Sequence, residues 1–157
     1  MKRLDFLDFL KSYAFVIGVM KSFAILSCAI AGWLLGNVSA GLTAATTIIM
    51  IAPSDIPGNR KHHLGGIVIA TLFVAISSVS VNFVHAYGSL WQLLTVMAIL
   101  TFCYAYISLY GARAAMVSIA GIFTLTLALV RPLEGIHILY NALYIFLAGA
   151  WYIFLVR

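Results

Sequence analysis

The sequence predicts an all-α fold: a polytopic membrane helix bundle of six transmembrane helices, with an N-terminal amphipathic helix at the membrane surface. Three observations carry this. Of the 157 residues, 64% are hydrophobic and 8% charged, where soluble domains carry roughly 25% charged residues. A chain of this size has no core large enough to hide that apolar surface from water. Apolar runs near the length of about 20 residues that spans a bilayer recur between short polar breaks, and the cations sort onto alternate breaks.

Residues 1–15 form the amphipathic segment, because Leu4, Leu7, Leu10 and Ala14 recur at helical spacing while Lys2, Arg3, Asp5, Asp8 and Lys11 fill the positions between them. The same charges, with no small-residue cleavage site after them, exclude a signal peptide. The remaining residues, 16–157, divide into spans at about 16–36, 38–52, 64–84, 90–108, 112–130 and 136–156. Gly36 and Asn37, Pro53 to Asn59, His85 to Ser89, Tyr110 and Gly111, and Arg131 to Gly135 break them apart. The second span is short. Trp33, Trp91 and Trp151 fall near span ends, where amphipathic rings prefer to sit.

Orientation follows from the positive-inside tendency. With the N-terminus inside, Lys2, Arg3, Lys11, Arg60, Lys61, Arg113 and Arg157 are cytoplasmic and only Arg131 is outside. Both termini are then cytoplasmic. The net charge of +5 is therefore a topology signal rather than a nucleic-acid footprint, which needs clustered cations. Cys28 and Cys103 lie inside apolar segments and read as packing thiols. No metal-ligand spacing, cofactor motif or nucleophile with base and orienter occurs, so neither a cofactor nor an enzyme is expected.

Polar residues within the spans hold the remaining information. Ser39, Thr43, Thr46, Thr47 and Met50 share one helical face of span two, Thr71, Ala75, Ser78, Asn82 and His85 one of span three, and His137, Asn141, Tyr144, Ala148 and Tyr152 one of span six. Three such stripes imply a shared interior. Either they hydrogen-bond between helices as packing glue, worth about 0.6 kcal/mol each, or they line a solvated or substrate path. In span one, Ala24, Cys28, Gly32 and Gly36 recur every four residues, the small-residue pattern that lets helix backbones approach closely.

An ionisable group in hydrocarbon costs a few kcal/mol and tends to be kept for a purpose. Lys21 lies about 8 Å into span one by helical rise, so it either snorkels to the inner interface or forms an anion or proton site. Arg113 and Arg131 read as interfacial anchors, and Glu134 could pair with Arg131 across Pro132.

The break between spans two and three reads Pro53, Ser54, Asp55, Ile56, Pro57, Gly58, Asn59, Arg60, Lys61, His62, His63. Pro53 ends span two early. Ser54 and Asp55 can cap a following turn, Pro57 suits its early positions, Gly58 relaxes the backbone and Asn59 caps span three. The four basic residues after it stand at the cytoplasmic mouth, as an anchor for anionic headgroups or as a docking site for an anionic substrate or a soluble domain. His62 and His63 point about 100° apart on a helix and make poor joint metal ligands.

This loop, placed after a short second span, resembles that of the fusaric acid resistance (FUSC) family, and most of all its YccS/YhfK-like branch. The resemblance covers the chain in span number and order, and in residues it is specific only at the loop. It implies an inner-membrane half-transporter, the N-terminal six spans of an efflux system for aromatic or amphipathic carboxylic acids, completed by a second six-span half or by homo-oligomerisation. A periplasmic adaptor is a further implied partner, beside the lipid bilayer and a small aromatic acid. Such a substrate needs a cation for its carboxylate and walls for its ring. The expected substrate-binding residues are Lys21, Thr43, Thr46, Thr47, Asn82, Asn141 and Tyr144, with Tyr104 and Tyr106 as further walls and Arg60 and Lys61 for capture. The other expectation is a non-transporting module that anchors or assembles a larger protein.

Overall fold

The computed structural model describes residues 13–55 and 60–156. Among them it is all-helical: α1 Tyr13–Leu34, α2 Val38–Ile51, a one-turn 3₁₀ helix Ala52–Ser54, α3 Arg60–Tyr87, α4 Leu90–Ser108, α5 Ala112–Val130 and α6 Ile136–Val156. Five of these, all but α2, are long and apolar enough to cross a membrane, so the chain is a membrane-embedded helical protein. The expected surface helix falls almost wholly on residues 1–12, outside the described residues.

Local chemistry sets the boundaries. Gly36 adopts φ +70°, a conformation that only glycine takes readily, and so turns the chain between α1 and α2. Asn37 then caps α2, its side chain accepting from the Ala40 amide at 3.0 Å. At the other end Pro53 tightens α2 into the 3₁₀ turn instead of releasing it into an open loop. Ser89 and Gln92 form a reciprocal capping box at the start of α4. The third helix starts at Arg60, four residues before the expected 64, and runs on to Tyr87. Basic side chains are good helix formers, so a helix does not stop where the hydrocarbon stops.

The 14 residues of α2 rise about 21 Å and the 3₁₀ turn adds about 6 Å. The pair nearly matches a hydrocarbon core of about 30 Å. It reaches that length beside α1: a Cβ placed on Gly32 would lie 2.3 Å from the Gly41 Cα, so two glycines bring the backbones into contact. Of the expected small-residue stripe, Ala24 and Gly32 do this packing, whereas Gly36 belongs to the turn.

Helix α3 is the hub. It packs on α5, α6 and α4, and α2 packs on α1, α6 and α3. The main core gathers Ala24, Ile48, Ile51, Ile67, Val74 and Ile145 with Tyr152. A smaller one joins α4 to α3 and α5 through Tyr104, whose hydroxyl lies 2.6 Å from the Ser77 hydroxyl and whose ring rests on Gly121. Tyr104 is therefore a packing residue, not a substrate wall, and Tyr106 is exposed. Elsewhere α4 presents an apolar surface: Trp91, Phe102 and Leu109 are each more than 70% exposed, as suits a lipid-facing helix.

Candidate functional site

The polar stripes of α2, α3 and α6 meet. Between them and α5 lies a cavity of about 170 Å³ lined by Thr43, Thr46 and Thr47 of α2, Ser78 and Asn82 of α3, Thr124 of α5 and Asn141 of α6. An apolar cavity of about 150 Å³ admits benzene, so this one has room for a small organic molecule. Apolar side chains, among them Met50, Val74 and Ile145, form the rest of its lining.

One hydrogen-bonded chain organises the far side. Asn141 donates to the Ser78 hydroxyl at 2.8 Å. Asn82 donates to the Ser78 carbonyl at 2.8 Å and accepts the Leu133 amide at 2.8 Å, so the segment between α5 and α6 is strapped to the middle helix. Arg131, in that same segment, also lines the cavity and donates to the Ser39 hydroxyl at 2.6 Å. The guanidinium thus joins the cavity rim to the start of α2. It takes Ser39 as its partner, not the Glu134 that sequence proximity offered.

The threonines spend their donors locally. Thr43 donates to the Ser39 carbonyl at 3.0 Å, Thr47 to the Thr43 carbonyl at 2.8 Å and Thr124 to the Ala120 carbonyl at 2.8 Å. Thr46 divides its hydroxyl between the carbonyls of Leu42 and Thr43. Each keeps only acceptor capacity for anything in the cavity.

Five of the seven expected binding residues, Thr43, Thr46, Thr47, Asn82 and Asn141, line this cavity. Two do not. Tyr144 borders a separate groove between α1, α2 and α6, where its hydroxyl accepts from Asn37 at 3.4 Å. Lys21 lies at the opposite end of the bundle and donates to the Ala52 carbonyl at 2.8 Å. It does not line the cavity, because the end of α2 offers a carbonyl, with the negative end of the helix dipole, inside the reach of its side chain.

Lys21 is part of a second polar cluster. Ser54 is fully buried and donates to the Ile51 carbonyl at 2.6 Å. Asp55 is 8% exposed and accepts from the Tyr152 hydroxyl at 2.9 Å. An added Cβ on Gly66 would meet both the Arg113 side chain and the Ser54 carbonyl at 3.2 Å, so Arg113 reaches over the same turn. The sequence places Ser54 and Asp55 at a turn in the break between spans two and three; in the structure the 3₁₀ turn folds them under α5 and α6. Pro53 remains exposed. Pro57 and Gly58 lie outside the described residues, and Arg60, Lys61, His62 and His63 form the first turn of α3, their side chains outside the description.

Sequence reasoning missed Arg131 and Thr124 as site residues. The signal was present: Thr124, Ala128 and Arg131 follow i, i+4, i+7 spacing and continue one face of α5 past its end.

No protein-family model matches the chain, and no curated protein or solved structure matches it. The class is therefore given by the fold and the site themselves: a membrane-embedded helical bundle with a small, partly open cavity between its helices, lined by hydroxyl and amide side chains among apolar ones and by Arg131.

Proposed function

We propose that this chain is the membrane domain of a transporter for small organic carboxylates, and that its cavity is the place where the carboxylate is held. The observation that carries this is the convergence of hydroxyl and amide side chains from four helices on one cavity with the Arg131 guanidinium at its rim. Packing glue alone needs no cavity and no cation. A guanidinium is the side chain best shaped to receive a carboxylate in two parallel hydrogen bonds.

The resemblance of the loop from Pro53 to His63 to the fusaric acid resistance family supports the same direction, and specifies aromatic or amphipathic acids leaving a bacterial cell. In this arrangement all six helices cross, both termini are cytoplasmic, Arg131 faces the periplasm, and Lys21 and Asp55 face the cell interior. A second six-span half or another copy of the chain completes the path, with a periplasmic adaptor as a further partner. The second reading, an anchoring or assembly module, is favoured by the glycine contact of α1 with α2 and by the threonine hydroxyls turned back onto their own helices.

The two separate in proteoliposomes containing the intact chain and preloaded with labelled benzoate and, separately, butyrate. Release by the wild type, lowered tenfold or more in Arg131→Gln, is expected. Release no faster than from empty vesicles for both acids favours the anchoring module.

A further inference from the structure

The cavity is polarised from end to end, and the polarity specifies a ligand more closely than a carboxylate alone. Among the described residues its one cation, Arg131, stands at one end, the amide groups of Asn82 and Asn141 line the side formed by α3 and α6, and α2 presents acceptors. Arg131 has five N–H groups, and the structure commits one of its nitrogens to Ser39. Moving inward along α2, Thr43 and Thr47 have already given their hydroxyl hydrogens to the Ser39 and Thr43 carbonyls. Their oxygens can only accept. A carboxylate placed there would meet lone pairs, whereas an O–H or N–H would be received.

The spacing sets the length of the molecule. Ser39, which holds Arg131, and Thr47 are eight residues apart on one helix, about 12 Å along its axis. The Arg131 guanidinium lies 2.6 Å from the Ser39 hydroxyl, so its gap to Thr47 is on the order of 10 Å, the reach of a four-carbon chain, roughly 6 Å from carboxylate oxygen to terminal heteroatom, with a hydrogen bond of about 2.9 Å at each end. The stretch between is bordered by Val74 and Ile145, which suit methylene groups.

We propose that the cavity takes a short unbranched carboxylate carrying a hydrogen-bond donor, hydroxyl or amine, at its far end, with the carboxylate on Arg131 and the donor on Thr47. This deepens the function proposed above and rests on it. No acidic side chain lines the cavity, so the donor end is read by hydrogen bonding rather than by ion pairing, and a hydroxyl serves there as well as an ammonium.

The test measures binding of labelled butyrate, 4-hydroxybutyrate and 4-aminobutyrate to the intact chain in lipid nanodiscs. These share one carbon chain and differ only at its end. Wild type is expected to bind one or both donor-bearing acids at least fivefold tighter than butyrate. Thr47→Val keeps the shape and removes the acceptor; it is expected to bring that ratio close to one, and Thr47→Ser to restore the preference. Equal affinity of wild type for all three acids overturns the proposal, as does a preference that survives Thr47→Val. The wild-type comparison decides even where a variant fails to fold. Binding of butyrate without preference leaves the carboxylate transporter standing and removes only the donor end, whereas binding of none of the three acids together with no release of benzoate removes both.

Discussion

The Lys21 ammonium donates to the Ala52 carbonyl at 2.8 Å, across 31 positions of sequence. This contact fixes the end of α2 against α1 and holds the lysine away from the cavity proposed to bind carboxylates. Lys21→Met is therefore expected to lower stability by about 1.5–3 kcal/mol, the usual range for a hydrogen bond to a charged group. Carboxylate affinity should change less than twofold. Thermal unfolding in detergent beside a binding titration checks both; lost binding with an unchanged melting temperature would return Lys21 to the site.

Close backbone approach of α1 and α2 makes a sharper prediction. Gly32→Ala puts a methyl group 2.3 Å from the Gly41 Cα, a backbone atom that cannot swing aside. Destabilisation of about 2–3 kcal/mol is expected. Gly18→Ala, in the same helix with nothing within 4 Å of its added carbon, should be neutral or stabilising by up to about 1 kcal/mol. Equal melting temperatures for the two variants would show that the helices do not meet as described.

At the turn under α5 and α6, Tyr152 donates to the buried Asp55 carboxylate at 2.9 Å. Tyr152→Phe removes that donor and is expected to destabilise by about 1–3 kcal/mol. Because the turn lies at the opposite end from Arg131, binding of carboxylates should persist. The readout is again unfolding against affinity, and an unaltered unfolding curve contradicts the contact.

Ser77 and Tyr104 join α3 to α4 through hydroxyl groups 2.6 Å apart in a buried setting. A double-mutant cycle of Ser77→Ala and Tyr104→Phe should yield a coupling of about 0.6–1.7 kcal/mol, the span found for hydrogen bonds between membrane helices. Strict additivity would mean that α4 is held by apolar packing alone.

Much of the fold was legible because membrane helices announce themselves by length and composition, and the polar faces by a 3.6-residue period. Thr43, Thr47, Asn82 and Asn141 were identifiable from that period alone. Tyr144 shows its limit. Three residues after Asn141 the helix has turned about 300°, which leaves a tyrosine some 60° round the face from its neighbour, and here that step moves it from the cavity to the groove beside α1. Lys21 and Asp55 were illegible for another reason. Their partners, Ala52 and Tyr152, are 31 and 97 residues away, and no local pattern reports a contact at that separation. Asp55 also stands two residues after Pro53, in a polar break between spans; the 3₁₀ turn accommodates that proline while keeping the carboxylate inside.

The most direct measurement concerns water and ligand at Thr43. In a background with Cys28 and Cys103 replaced by Ala, Thr43→Cys should react with a small polar thiol reagent in sealed vesicles. Ile49→Cys, about 120° round α2 from Thr43 and 49% exposed, should not, being in lipid. Millimolar 4-hydroxybutyrate should slow the Thr43→Cys reaction at least threefold, and Arg131→Gln should abolish that protection. A cysteine at 43 as inert as the one at 49, or one whose reactivity ignores the carboxylate, would contradict a ligand-holding cavity and leave the polar stripes as packing contacts.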